Sequence, residues 1–259
     1  GNCPEIGQAV RQSGVKRSEV WIVSKINTLH RVNKKGVALN VNSSSGVRRV
    51  VEETLTALKF KTLDAMLIHM PWGNSLDELR ILWKALISLQ SEGLVHHIGV
   101  SNFNSKQIEA LVEATGVWPS INEIEYHPYV NSQAHELVRW CLKHSVVVIA
   151  YGSLGGSANR GKGGGKVSEV ANAHQVSTAR VLLRWALQRG VVVIPGATSA
   201  GHIADNLALL RASPPVLELS ESEMGSIDAA GAGSPPKNFR IFKGLCKEDA
   251  GAAKCEPSV

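Results

Sequence analysis

The chain has 259 residues, of which 44% are hydrophobic and 19% charged, with a formal charge of +6 and a pI near 9.2. That balance describes a folded α/β core and excludes a disordered chain, and the length buries enough surface that neither disulfides nor a structural metal is required. The basic residues are scattered without an aromatic-interleaved stripe, no apolar run reaches the ~18 residues of a membrane span, and Cys3, Cys141, Cys246 and Cys255 show no paired or metal-type spacing. These features argue against nucleic-acid and membrane partners and for a reducing compartment, here the cytoplasm.

In chain order, residues 4–13 read as a helix with Pro4 in its first turn, stopped by Gly14. A strand follows at Val20–Ile26, then a long polar loop over Asn27–Ser45. Ser43–Ser45 offer N-caps for a helix whose Val47, Val50, Val51, Leu55 and Leu58 share one face. The pattern then alternates. Strand Leu63–His69 leads to helix Ser75–Gly93, opened by a capping box, Ser75-Leu-Asp-Glu78. Strand His97–Asn102 leads to helix Ser105–Ala114, and strand Ile121–Tyr126 to helix Ser132–His144. Strand Val146–Tyr151 opens into a glycine-rich loop, Gly152–Gly165, followed by helices Val167–His174 and Ser177–Arg189. A last strand, Val191–Pro195, precedes helix Ala200–Leu210, a short helix near Ser220–Ala230 and a polar tail over 231–259.

Strands spaced with intervening helices predict right-handed βα units in one domain spanning 1–259. A doubly wound dinucleotide-binding sheet should carry G-x-G-x-x-G after its first strand, and none occurs there. The apolar runs instead end, one after another, in Lys25, His69, Ser101–Asn102 and Tyr151, with Glu123 inside a fourth run. Buried parallel strands emit functional side chains at their C-terminal ends, so the fold expected is a (β/α)8 barrel with these residues around one mouth. A lysine and a histidine at such a mouth can polarise a carbonyl and manage a proton.

Val23-Ser-Lys25, Leu67-Ile-His-Met-Pro71, Gly99-Val-Ser-Asn-Phe103, Asn122-Glu-Ile-Glu-Tyr-His-Pro-Tyr129, Ala150-Tyr151, Arg184-Trp-Ala-Leu-Gln-Arg189 and Ile203-Ala-Asp-Asn206 occur in the order seen in the aldo-keto reductases, which the chain resembles from Pro4 to about Gly231. The resemblance implies NADP(H)-dependent reduction of an aldehyde or ketone by a tetrad of Asp, Tyr, Lys and His. Lys25 and His69 match the lysine and histidine. The matching Asp and Tyr would precede Gly1, and Tyr126, Tyr129 and Tyr151 match other family positions. The expectation is a barrel lacking its first two strands and first helix, a fragment without its acidic phenol and inactive as it stands.

For the cofactor, the resemblance implies Ser101, Asn102 and Glu123 at the nicotinamide carboxamide and Tyr151 stacked on its ring. Gly152 and Leu154 fall at the diphosphate loop, and Gly196, Ser199, His202, Asp205 and Asn206 at the adenosine end. Glu123 stands where many members carry Gln, and an ionised Glu only accepts hydrogen bonds. Gly196 and His202 stand where many members carry Lys and Arg for the 2′-phosphate, which leaves NAD(H) open beside NADP(H). Trp72 is expected to wall a pocket for a small carbonyl substrate in a monomer or weak homo-oligomer. Rival readings are a nucleotide-binding regulatory subunit like the family's potassium-channel β partners, and an inactive pseudoenzyme of the same fold.

Overall fold

The computed structural model describes residues 2–27, 31–32, 38–39, 43–71, 74–130, 132–155, 165–209 and 217–232. They fall into two units that divide after Asn122.

The first unit opens with α1 (Cys3–Gln12), with Pro4 in its first turn. The strand expected from Val20 begins later, as β1 (Val23–Ile26), after a 3-10 turn over Arg17–Glu19. The reason is Asp64. Its Oδ2 accepts the Ile22 N–H at 2.7 Å and the Arg17 guanidinium at 2.6 Å, so that amide is committed to a side chain rather than to a strand. The sheet ladder enters with the Ile22 carbonyl, which accepts from Ala65 at 3.2 Å. Within the expected polar loop lies a small antiparallel hairpin, β2 (Arg31–Val32) with β3 (Ala38–Leu39).

Helix α2 (Ser44–Leu58) starts where Ser43 Oγ accepts the Gly46 N–H. Its five apolar positions at helical spacing are all buried, each stabilising by roughly 1.5–3 kcal/mol against exposure. β4 (Leu63–Ile68) is buried at every position except Asp64, as a strand covered on both faces should be. Helix α3 (Leu76–Ser91) carries the expected reciprocal cap: Glu78 N–H donates to Ser75 Oγ, and Ser75 N–H to Glu78 Oε2. β5 (Val95–Ser101) then leads to α4 (Ser105–Thr115). β4 pairs in parallel with both β1 and β5.

β6 (Ile121–Glu125) carries the chain into the second unit, which continues with α5 (Ser132–Lys143), β7 (Val147–Tyr151), α6 (Lys166–Ala173), α7 (Thr178–Gln188), β8 (Val192–Val193), α8 (Ala200–Ala208) and α9 (Glu221–Ala232). β7 and β8 pair in parallel. β8 is shorter than the run Val191–Pro195 because Pro195 has no N–H for the ladder; Ile194 makes a last bond to the Ala150 carbonyl at 3.2 Å. Among the described residues the six principal strands follow the order β1-β4-β5-β6-β7-β8, an α/β parallel sheet in sequence order.

Helix α9 is fastened to α7 by side chains. Asp228 accepts the buried Trp185 indole N–H at 2.8 Å and pairs with Arg189. Gln188 exchanges two bonds with the Leu219 backbone, at 2.8 and 2.9 Å, and Arg184 pairs with Glu218. No helix among the described residues is long and apolar enough to cross a membrane.

Candidate active site

In the first unit the strand register decides which side chains meet. Lys25 stands opposite Leu67, and Leu67 opposite Gly99. Side chains alternate across a strand, so Lys25, His69 (two beyond Leu67) and Ser101 (two beyond Gly99) project from one face at the C-terminal ends of three neighbouring strands. Gly99 confirms the packing on that face: a β-carbon there would lie 2.7 Å from Leu67 Cδ2 and 2.6 Å from the Ile121 carbonyl oxygen. Leu67 leans across the glycine and seals the layer beneath the mouth.

Two hydrogen bonds lock the strand ends together. The His69 N–H donates to the Ile26 carbonyl at 3.0 Å. Asn102 Nδ2 donates to the His69 carbonyl at 3.0 Å and to Ser101 Oγ at 3.1 Å. Asn102 itself takes a left-handed backbone, φ +64, a conformation Asn tolerates better than most residues. Ser101 and Asn102 are buried, whereas Lys25 and His69 are half-buried. His69, Ser101 and Asn102 are thus tied by hydrogen bonds, with Lys25 near the end of the neighbouring strand β1.

In the second unit Glu123 lies buried in β6 and Tyr151 half-buried at the end of β7. The Tyr126 N–H donates to the Tyr151 carbonyl at 3.2 Å. The chain then turns at Gly152, whose φ of +62 suits a residue without a β-carbon. Gly155 N–H closes the turn on the Gly152 carbonyl at 2.8 Å, with half-buried Leu154 inside it. Lys166, at the start of α6, pairs with Glu169 at 2.8 Å. Ser199 caps α8 by accepting the His202 N–H at 3.2 Å. Gly196 and His202 are exposed, while Asp205 and Asn206 are half-buried on the same helix. Trp72, residues 156–164 and the tail beyond 232 lie outside the described residues.

The tyrosines within reach of the sequence pattern are otherwise occupied. Tyr126 is buried with its hydroxyl 3.1 Å from His135 Nδ1, and burial pushes the phenol up to about 12. Burial also raises Tyr129. His127 Nδ1 accepts the Tyr129 N–H at 3.2 Å, which leaves its Nε2 as the protonated nitrogen facing Glu125 Oε1 at 3.3 Å. His135 is held below the ordinary imidazole range by burial and by the Arg189 charge. Sequence reasoning missed Asp64, Arg180 and the Asn104–Gln107 capping pair at the start of α4. The last was visible as an Asn-x-x-Gln pattern.

The family model described as "Aldo/keto reductase family" matches residues 2–232. The chain belongs to the aldo/keto reductase family. Among its relatives in this family, a 9,11-endoperoxide prostaglandin H2 reductase of Trypanosoma cruzi is 31% identical over 242 residues, covering 90% of this chain and 77% of that protein. An NAD/NADP-dependent indole-3-acetaldehyde reductase of Schizosaccharomyces pombe is 35% identical over 156 residues, covering 60% of this chain and 50% of that one. The solved structure of a Bombyx mori aldo-keto reductase in complex with NADP aligns with a TM-score of 0.73 at 27% identity, covering 88% and 74% of the two chains. The parallel α/β fold is therefore that of the aldo-keto reductase barrels.

Proposed function

We propose that this aldo/keto reductase is an NADP(H)-linked oxidoreductase for a small aldehyde or ketone, with Lys25 and His69 at the reacting carbonyl. The observation that carries the reading is the register of β1, β4 and β5, which aligns Lys25, His69 and Ser101 on one face at one end of three parallel strands, with Asn102 bonded to the His69 carbonyl. The first unit's residues fit a nicotinamide: Asn102 and Ser101 supply fixed amide and hydroxyl groups for its carboxamide. A reduced nicotinamide, when bound, supplies the hydride. The chain's own residues do the rest. His69 orients the carbonyl oxygen by hydrogen bonding, and the Lys25 charge stabilises the oxyanion as it develops.

The proton must come from an acid that loses it readily. Tyr126 is unsuited, because its buried phenol holds its proton up to about 12 and faces His135. Substrate scope takes its cue from the aldehyde and endoperoxide named for the relatives.

The test is a titration of the purified chain with NADPH, followed by nicotinamide fluorescence, and then addition of small aldehydes. Saturable binding that weakens at least about tenfold in Asn102→Ala is expected, since that change removes the amide and places Ala in a left-handed backbone costing about 1–2 kcal/mol. Unchanged NADPH affinity in Asn102→Ala would remove Asn102 from the cofactor site and with it the reading of this mouth.

A further inference from the structure

The turn that carries Ser101 and Asn102 is held from behind by a residue of the neighbouring strand. Asn102 has φ +64, a left-handed backbone that a residue other than glycine keeps only where its surroundings fix it. Its own amide anchors the turn on one side, to the His69 carbonyl and Ser101 Oγ. On the other side Asn104 N–H donates to Gln107 Oε1 at 3.0 Å and Gln107 N–H to Asn104 Oδ1 at 2.9 Å, which starts α4. Between these anchors lies Phe103, whose carbonyl accepts from Asn122 Nδ2 at 2.9 Å. Asn122 is second in β6, the strand beside β5, and both Asn122 and Phe103 are fully buried.

Register decides how Asn122 acts. A β-carbon on Gly99 would lie 3.0 Å from Ile121 Cβ, so Ile121 shares the face of Gly99 and Ser101. Alternation along β6 puts Asn122 on the opposite face, away from the Lys25–His69 mouth. Its amide therefore does not touch a molecule seated there. Its grip on Phe103 does reach the mouth. The Phe103 carbonyl lies in the second peptide group after the Asn102 α-carbon, so pinning it limits the rotations by which the turn could relax to an extended form. Losing the bond would also leave that buried carbonyl short of a donor, which favours such a rearrangement.

We propose that Asn122 is a positioning residue for the mouth: through the Phe103 carbonyl it holds Asn102 in its left-handed turn and keeps the Asn102 amide in place. The inference deepens the nicotinamide reading given above and rests on it. It differs from a general packing role in one respect. A packing residue matters equally whether or not residue 102 has an amide to aim, whereas a positioning residue matters only when it does.

The experiment is a double-mutant cycle on NADPH dissociation constants of the full 259-residue chain: unaltered, Asn122→Ala, Asn102→Ala and both together. Asn122→Ala is expected to weaken NADPH by about tenfold in the unaltered background and by less than about twofold in the Asn102→Ala background. Equal weakening in both backgrounds overturns the inference and leaves the cofactor reading standing. A second readout needs no nucleotide: proton exchange of the Asn102 side-chain amide, followed by nuclear magnetic resonance and assigned by its loss in Asn102→Ala. Asn122→Ala is expected to speed that exchange by at least about tenfold while the backbone amides of β4 keep their protection. Unchanged exchange at Asn102, or equal loss of protection in β4, also overturns it. Failure of the unaltered chain to bind NADPH removes the cofactor reading, and this inference with it. If the alanine variant does not fold, Asn122→Asp, similar in size but with no N–H to donate, carries the same cycle.

Discussion

Asp64 is the residue whose removal should test most directly how strand β1 is placed. It sits second in β4, and its Oδ2 accepts both the Ile22 N–H at 2.7 Å and the Arg17 guanidinium at 2.6 Å. Arg17 in turn donates to the Val20 carbonyl at 2.6 Å and lies 4.7 Å from the Phe60 ring centroid. Asp64→Ala removes a charge-assisted bond to a part-buried amide, costing about 1.5–3 kcal/mol. It also removes an ion pair whose partners are 31% and 21% exposed, a loss of up to about 1 kcal/mol after solvent screening. The sum is about 2–4 kcal/mol. Asp64→Asn keeps an oxygen for Ile22 and loses mainly the ionic part, so about 1 kcal/mol is expected. Urea unfolding of the three proteins, followed by tryptophan fluorescence, reads the difference as a shift in midpoint at constant slope. Equal stabilities of the Ala and Asn variants would refute the reasoning, because they would show that the Ile22 bond contributes nothing. A loss below about 0.5 kcal/mol in Asp64→Ala would refute it too.

Two further changes probe other parts of the molecule. His135 is held neutral by burial and by Arg189, so its folded pKa lies below the unfolded value of about 6.5. The unfolded chain then binds the proton first as pH falls, and stability should be complete above about pH 6.5 and decline below it, with a slope of at most about 1.4 kcal/mol per pH unit. His135→Gln should flatten that part of a stability–pH curve measured by urea midpoints; an unaltered curve would show that His135 is not the titrating group. Gly99→Ala should destabilise by about 1–3 kcal/mol, because its β-carbon would meet the Ile121 carbonyl oxygen at 2.6 Å, a backbone atom that cannot swing away. A thermal midpoint within about 1 °C of the parent would contradict the close packing assigned to Leu67 and Gly99.

What could be read in the residues and what could not separate along one physical line. Local patterns were legible. The face Val47, Val50, Val51, Leu55, Leu58 is buried as its spacing implies, and Ser75 with Glu78 forms the reciprocal cap its spacing suggests. Motifs at strand ends follow a simple rule, because register and alternation convert sequence position into direction: Lys25, His69 and Ser101 fall at the C-terminal ends of neighbouring strands in the first unit. Long-range polar partners were not legible. Asp64 looks like a polar blemish in an apolar run, and nothing near it in sequence identifies Ile22 or Arg17, more than 40 residues away, as its partners. The hairpin Arg31–Val32 with Ala38–Leu39 is too short to carry a period, and Pro195 shortens β8 through a missing N–H that apolar character alone does not reveal. Arg180 was invisible for the same reason as Asp64: its meaning lies in Asp205, which reaches it from the following helix.

The bonds that end the strands also tie stability to function at this mouth. The His69 N–H is spent on Ile26 and the His69 carbonyl on Asn102, so both polar groups of the histidine's own backbone are fixed from outside its strand. The imidazole can then vary only through its side-chain torsions, and Lys25, whose strand carries Ile26, is referred to the same frame. Perturbations that free the start of this four-residue strand should therefore stop short of Lys25, because the Ile26–His69 bond pins its far end. Asp64→Ala, made at the opposite end of the strand from the mouth, should lower nucleotide affinity or turnover only in proportion to the unfolded fraction if the strand moves as a rigid unit with β4. A loss larger than that fraction would mean that β1 slips while the rest of the unit stays folded, and would assign the Ile26–His69 bond too little strength to hold the mouth alone.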